Sequence, residues 1–208
     1  MRIEIFTQAF SILIPQSSSL SIIMKTKTAR IIENPIIDDR VTFVETSAET
    51  KGRYSLLHVE LAPKGGNELH IHKTFDETFT VLDGVLGVQV EDQIMYLEKG
   101  KTATVRPGQM HRFFNPSDTE KVFFSVLIEP GNRKFEMSLQ VAYGLSRDGL
   151  TTSKGIPKSL YHLGLLIVWS DTHLPGMLRW IEPVLNWAAR QAVKKGIDQE
   201  LIQRYCRF

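Results

Sequence analysis

Two histidines near the middle of the chain have the spacing of metal ligands. The segment 65–84, GGNELHIHKTFDETFTVLDG, places a single residue between His70 and His72. On a β-strand, side chains two residues apart point to the same face, about 7 Å apart along the strand. Each imidazole reaches inward, so both rings can bind one ion at bond lengths of ~2 Å. The pair therefore predicts a metal chelate.

Glu77 and His111 complete a candidate ligand set. Glu77 follows His72 by five residues, an odd offset that brings both to one face only if residues 73–76 form a turn or bulge. The segment 100–115, GKTATVRPGQMHRFFN, places His111 after a Pro-Gly turn, on a strand that can pair antiparallel with the first. Three imidazoles and one carboxylate favour one divalent transition metal ion (Fe, Mn, Ni, Co, Cu or Zn) over Ca or Mg.

The chain between residues 40 and 129 has the pattern of an antiparallel β structure. Short segments rich in Val, Ile, Phe, Tyr and Thr alternate with Gly, Pro, Asn and Asp. So many short strands predict a barrel or a sandwich, in which sheet edges are protected. After Pro130-Gly131 the apolar residues recur at helical spacing over 134–145 and 159–208, which predicts a helical tail.

The two histidine segments resemble the two sequence motifs of the cupin superfamily. The first motif contains Gly, His-x-His, Glu and Gly, and the second contains Gly, Pro-x-Gly, His and Asn. The positions that match in register are His70, His72, Glu77, Gly84, Gly100, Gly108, His111 and Asn115. Lys64 replaces the first glycine and Arg106 replaces the motif proline. Both departures fall in turns and leave the ligand positions intact.

This resemblance, which spans roughly residues 40–130, implies a fold and a division into domains. The fold is mainly β: a cupin double-stranded β-helix, or antiparallel jelly-roll barrel, with C-terminal α-helices. We expect the barrel over residues 24–145 and a helical C-terminal extension over 146–208. Residues 1–23 are interpreted as a leader, disordered or arising from a misassigned start, because Met24 offers a second start.

The resemblance also implies a function. Similar cupins that hold Fe, Mn, Ni or Cu act as dioxygenases on an enol or phenol. In such a mechanism the catalytic residue Glu77 would take the substrate proton, while His70, His72 and His111 hold the ion. With Zn or Mn the same site would act as a Lewis acid for isomerisation, decarboxylation or hydrolysis. The alternative is a non-catalytic barrel or sensor that binds a small ligand and signals through the tail.

Alternation along the strands predicts one wall of a substrate pocket beside the metal. Phe79 and Val81 follow Glu77 on the same face of their strand, and Phe113 follows His111 in the same way. All three are candidate substrate-pocket residues. The alternative is that the phenylalanines only fill the barrel as packing, and the pattern does not separate the two interpretations.

Other polar residues have simpler interpretations. His58 and Glu60 share the face of a strand opposite a row of leucine and valine, so we expect a solvated outer face. Arg106 and Arg112 flank the second motif and are suited to bind a carboxylate or phosphate, although surface solvation is the more common role.

The helical tail contains two histidines and an apolar stripe. His162 and His173 lack partners at ligand spacing, so both are interpreted as structural or exposed. The stripe, with Trp180 and Trp187, is expected to pack on the barrel or on a dimer partner, with a membrane surface as the alternative.

Composition narrows the classes of function. The chain has 208 residues, 42% of them hydrophobic, and a formal net charge of +2, so neither a nucleic-acid partner nor a transmembrane segment is expected. Its single cysteine, Cys206, cannot form an internal disulfide, which favours a cytoplasmic location. The expected partner is a small molecule, as ligand or substrate, and the resemblance implies a homodimer.

Overall fold

A computed structural model describes residues 30–207, so the leader expected over 1–23 lies outside the described residues. Within 30–207, ten strands precede four α-helices and one 3-10 helix. The strands are β1 (Ile31–Asn34), β2 (Asp39–Glu45), β3 (Ser55–Leu61), β4 (His70–Ile71), β5 (Asp76–Asp83), β6 (Val85–Val90), β7 (Gln93–Glu98), β8 (Thr102–Val105), β9 (Met110–Phe114) and β10 (Val122–Glu129). The helices are α1 (Arg133–Arg147), α2 (Leu160–Trp169), the 3-10 helix (Gly176–Ile181), α3 (Glu182–Lys194) and α4 (Ile197–Tyr205).

The strands form two antiparallel sheets that enclose the barrel core. One sheet has the order β1-β2-β3-β10-β5-β8, and the other has the order β4-β9-β6-β7. Each side chain that points inward contributes about 1.5–3 kcal/mol when it is fully buried. The largest fully buried ones in this core are Phe43, Leu57, Leu61, Phe75, Phe79, Leu86, Phe124 and Ile128. The predicted jelly-roll barrel with C-terminal helices is confirmed.

Alternation in β3 shows how the sequence selects its faces. Leu57, Val59 and Leu61 are buried, whereas His58 and Glu60 between them are only partly buried. Successive side chains of a strand point to opposite faces, so the apolar set lies in the core and the polar set outside it. The outer-face interpretation of His58 and Glu60 agrees with this arrangement.

Helix α1 connects the barrel to a second, helical core. The side chain of Asn132 caps it by accepting a hydrogen bond from the backbone of Phe135 at 3.1 Å. Phe135 and Tyr143 belong to the barrel core, whereas Val141 and Leu145 pack with α2, α3 and α4. One helix therefore contributes to both cores.

The apolar stripe of the tail is divided between core and surface. Leu185 is 3% exposed and Ala188 is fully buried, but Trp180 is 83% and Trp187 is 47% exposed. The buried side of α3 packs on α2 within the helical core, and not on the barrel as expected, while these two tryptophans stay exposed. Among the residues described, no helix combines the length and the apolar character needed to cross a membrane.

Close approach of α2 and α3 gives a stability prediction. A Cβ at Gly164 would lie 2.5 Å from the carbonyl oxygen of Leu185 and 2.9 Å from the backbone nitrogen of Ala189. Gly164→Ala should therefore lower the free energy of unfolding by ~1–3 kcal/mol, as overpacked cores do, although alanine favours a helix by up to ~1 kcal/mol. Urea unfolding measures the change, and Arg190→Ala on the exposed side of α3 is the control. A Gly164→Ala protein at least as stable as wild type would contradict this packing.

Candidate metal centre

Register across one sheet and a bend between two strands bring the four candidate ligands together. His70 in β4 lies directly opposite His111 in β9. Residues 73 and 74 bend the chain between His72 and β5, and Glu77 enters the same cluster from the facing sheet. One ligand atom from each of these four residues lies within 4.8 Å of all the others. His72, Glu77 and His111 are buried, and His70 is partly buried.

Hydrogen bonds to backbone carbonyls fix the tautomer of all three histidines. Each Nδ1 faces a carbonyl oxygen: that of Glu68 for His70 at 2.8 Å, that of Asp171 for His72 at 3.1 Å, and that of Gln109 for His111 at 3.0 Å. A carbonyl only accepts, so each Nδ1 must carry the proton and donate it. In the neutral rings every Nε2 therefore presents a lone pair to the cluster, as metal-binding histidines do.

The distances between these lone pairs call for a cation. Nε2 of His70 and Nε2 of His72 are 3.0 Å apart, and Nε2 of His111 is 2.9 Å from Oε2 of Glu77. Facing lone pairs repel unless a positive charge lies between them. Two ligand atoms at right angles around an ion with bonds of ~2.1 Å lie roughly 3 Å apart. The donor set and its spacing fit a transition metal ion held by all four residues.

The pKa values show how protons would distribute over the cluster without an ion. Burial, together with His72 and His111, lowers the pKa of His70 from 6.5 to about 4. Burial alone would raise the pKa of Glu77, but the hydrogen bond with His111 and the nearby imidazoles hold it below its usual value. Burial disfavours charge on His111, yet its hydrogen bond to Glu77 and the carboxylate charge raise its pKa. A proton on His111 can bridge to Glu77, but His70 stays neutral against His72.

A cavity of about 440 Å³ lies against the cluster and is lined by His70, His72 and Glu77. Its other walls come from both the barrel and the helical extension and are mainly apolar. They include Leu61, Leu69, Phe113, Phe135, Leu139, Ile167 and Leu174. This is the size and character typical of small-molecule sites, in which a few polar groups orient a ligand within an apolar pocket.

The three residues proposed from the sequence as pocket wall occupy different layers. Phe113 lines the cavity. Phe79 and Val81 are not among its lining residues and are buried in the barrel core at 0% and 1% exposure. The ring of Phe79 stands behind that of Phe113, with centroids 5.6 Å apart.

The cavity is also lined by a buried pair that no sequence pattern points to, Asp39 and Tyr143. The Tyr143 hydroxyl donates to Oδ2 of Asp39 at 2.5 Å, while Oδ1 of Asp39 is buried without a hydrogen-bond partner among the described residues. Burial raises the pKa of Asp39 from 3.8 to about 6. The pair brings together residues 104 positions apart, and neither belongs to a motif, so spacing could not have found it.

The remaining polar candidates lie outside the cavity wall. Arg106 forms an ion pair with Asp76, and Arg112 donates to the side chain of Gln89 at 2.8 Å. His173, interpreted as structural or exposed, stands between two carboxylates: Nε2 is 3.4 Å from Asp171 and Nδ1 is 3.3 Å from Glu182.

Comparison with known families agrees with this fold and site. Residues 57–127 match the Cupin_2 family, described as a cupin domain. The chain therefore carries a cupin domain, which contains all four residues of the cluster. No curated protein matches the chain significantly.

The solved structures to which the chain is similar are distant in sequence. An RmlC-like cupin from Shewanella frigidimarina is 16% identical, with a TM-score of 0.43 over 50% of this chain and 86% of that one. A protein described as a predicted oxalate decarboxylase from Thermotoga maritima is also 16% identical, with a TM-score of 0.42 over 45% and 81%. The Cupin_2 domain of an XRE family transcriptional regulator from Enterobacter cloacae is 17% identical, with a TM-score of 0.39 over 44% and 95%.

Metal content tests the cluster directly. Protein purified without chelators or a histidine tag should hold one divalent ion per chain, because four converging donors bind far better than any two. The double variant His70→Ala, His111→Ala should lose it. Elemental mass spectrometry measures the content, and His58→Ala on β3, outside the cluster, should retain the ion. Retention by the double variant, or absence from wild type after reconstitution, would contradict the site.

Asp39 gives a prediction on the pH dependence of stability in the metal-free protein. Folded Asp39 keeps its proton up to about pH 6, whereas the unfolded chain releases it near 3.8, so stability falls as pH rises between these values. A shift of about two units corresponds to ~3 kcal/mol. Asp39→Asn cannot ionise and should therefore gain up to ~3 kcal/mol over wild type at pH 8 but little at pH 4. Urea unfolding at both pH values measures the difference, with Asp92→Asn at an exposed position in the turn between β6 and β7 as control. An equal gain at both pH values would show that ionisation of Asp39 is not the cause.

Proposed function

We propose that this protein is a metal-dependent enzyme that acts on a small, oxygen-rich molecule. The observation that supports this proposal best is the convergence of three Nε2 lone pairs and one carboxylate beside a largely apolar cavity of about 440 Å³. Four protein ligands would leave one or two positions open on a five- or six-coordinate ion, and a substrate oxygen in the adjoining cavity would be placed to fill one.

Each residue of the site has a role in this proposal. His70, His72 and His111 would hold the ion through Nε2, with Glu77 as the fourth ligand. When bound, a metal ion supplies Lewis acidity or, if it is redox-active, electron transfer. Glu77 remains a carboxylate at neutral pH because its pKa is lowered, so it can accept the proton of an enol or phenol hydroxyl. The apolar walls limit water around the reacting atoms.

Dioxygenase-like chemistry is the reaction class that we propose first. This choice rests on the resemblance of the two motifs to those of dioxygenase cupins with three histidines and one glutamate. The same donor set with Zn or Mn would support isomerase, decarboxylase or hydrolase chemistry, and the native metal separates these alternatives. Phe113 would contact the substrate, since it lines the cavity.

A second candidate is a non-catalytic ligand sensor. It is favoured by one contact: Nδ1 of His72 donates to the backbone carbonyl of Asp171 in the extension, at 3.1 Å. Ligand binding at the site would thereby change the position of the helices that follow the barrel. A cytoplasmic location and a homodimer also remain proposals, the first from the single cysteine and the second from the resemblance. Light scattering of the purified protein tests the dimer.

Turnover distinguishes the enzyme from the sensor. Protein loaded separately with Fe, Mn, Ni, Cu or Zn should consume oxygen, or convert substrate without it, with at least one member of a panel of enols and phenols. Glu77→Gln should lower the turnover per bound metal by ~100-fold or more, the usual contribution of a general base. Oxygen electrode and mass-spectrometric product analysis measure this, with Glu60→Gln on the outer face of β3 as control. Tight binding of panel members with no turnover for any metal would support the sensor and refute the enzyme.

A further inference from the structure

We propose that Asp171, in the turn after α2, is a positioning residue for the metal centre and that it makes metal affinity depend on the helical extension. This inference rests on the proposed metal-binding function. Asp171 lies 99 residues beyond His72 and approaches the site from outside the matched cupin domain. Two sets of contacts made by Asp171, and one backbone pairing made by its neighbour His173, support the role.

The first contact orients the His72 ring. His70 and His111 each donate Nδ1–H to the carbonyl two residues earlier in their own segments, that of Glu68 and that of Gln109. His72 instead uses the carbonyl of Asp171, at 3.1 Å. Of the three histidines in the cluster, His72 therefore depends on a distant part of the chain for the tautomer that directs its Nε2 into the cluster.

The second set of contacts stabilises the bend that carries the chain from His72 to Glu77. Oδ2 of Asp171 accepts hydrogen bonds from the backbone nitrogens of Lys73 at 2.6 Å and Thr74 at 2.8 Å, and from the Thr74 hydroxyl at 2.9 Å. Bonds to a carboxylate are stronger than neutral ones. Asp171 thus fixes the turn that the odd spacing of His72 and Glu77 requires.

The third contact is a backbone pairing between the extension and the edge of β4. Ile71 donates to the carbonyl of His173 at 3.1 Å, and His173 donates to the carbonyl of Ile71 at 2.8 Å. β4 contains only two residues and lies at the end of its sheet, with β9 on its other side. The extension therefore pairs with the free edge of the strand that leads from His70 to His72.

The backbone of Asp171 is adapted to this position. Its φ of 52° lies in the left-handed region, which aspartate and asparagine tolerate better than most residues. The preceding helix α2 leads directly into this turn, where Thr172 donates to the carbonyl of Ile167 at 3.0 Å. The turn at Asp171 therefore connects α2 directly to the His72 ring.

The expected effect is a loss of metal affinity without loss of the ligands. Groups that orient metal-bound histidines typically contribute about 10- to 100-fold to affinity. Asp171→Ala should weaken Co²⁺ binding by about this factor. The bend loses three hydrogen bonds, and the backbone carbonyl of residue 171 is then no longer held against Nδ1 of His72. Asp171→Asn keeps an acceptor oxygen and the tolerance for a left-handed φ, so it should restore most of the affinity. Thr74→Val removes one of the three bonds and should lose only about 2- to 3-fold.

Co²⁺ titration against a competing chelator measures the affinity, and the visible spectrum of bound Co²⁺ reports the ligand geometry. The control is Asp148→Ala. Asp148 accepts hydrogen bonds from Tyr205 at 2.8 Å and Arg204 at 2.6 Å within the extension, and it is not among the residues that line the cavity. It should bind Co²⁺ like wild type. If Asp171→Ala does not fold, Thr74→Val decides the outcome. Wild-type affinity and an unchanged spectrum in folded Asp171→Ala, or in Thr74→Val where Asp171→Ala does not fold, would overturn the proposal.

A measurement on metal-free protein separates this inference from the proposed function. Nitrogen-15 NMR of the imidazoles should find the proton of His72 on Nδ1 in wild type and distributed over both nitrogens in Asp171→Ala. Wild-type protein that binds no Co²⁺ refutes the proposed metal function. A proton on Nε2 of His72 in wild type, or no change in the variant, refutes the positioning role even where metal binds.

Discussion

Crowding of three imidazoles around one buried carboxylate is the constraint on which the rest of this structure depends. Two imidazole nitrogens face each other at 3.0 Å, and a third lies 2.9 Å from a carboxylate oxygen, in a site that is almost entirely removed from water. In such surroundings unpaired charges and lone pairs are unfavourable by several kcal/mol. A divalent ion turns the same arrangement into a set of strong bonds. The protein must hold the ligands in place whether or not the ion is bound.

The barrel provides most of that rigidity through its own strands. Opposition of His70 and His111 follows from the register of β4 with β9, and Glu77 is held by the pairing of β5 with both β10 and β8. His72 is the exception, because β4 ends before it and its ring is oriented by the extension. The position of His72 therefore depends on the contact between the barrel core and the helical core. Helix α1 contributes residues to both cores and is part of that contact.

Local patterns in the sequence were sufficient for the barrel and for the four residues that converge in the cluster. Strands such as β3 and β8 follow from alternation and from the turns that flank them, and the His-x-His pair follows from a two-residue period. The odd offset of Glu77 already required a bend, but nothing local identified Asp171 as the group that stabilises it. Asp39 and Tyr143 are equally invisible to local reasoning, because their meeting depends on how α1 packs across the barrel. His173 was interpreted from its lack of neighbours in sequence, whereas its backbone pairs with the strand that leads to the ligands.

Chemistry, and not volume, separates the cavity beside the cluster from another groove of similar size among the described residues. That groove has about 470 Å³ and is lined by charged residues that neutralise one another at the surface, such as Arg40 with Glu33 and Lys121 with Glu60. Exposed ion pairs of this kind contribute at most ~1 kcal/mol. The cavity beside the cluster is lined instead by crowded imidazoles, and it shares the buried carboxyl group of Asp39 with the groove. Perturbed titratable groups that lie together in a cavity mark a candidate functional site, and the proposed ligand recognition therefore falls on the face shared by the barrel and the extension.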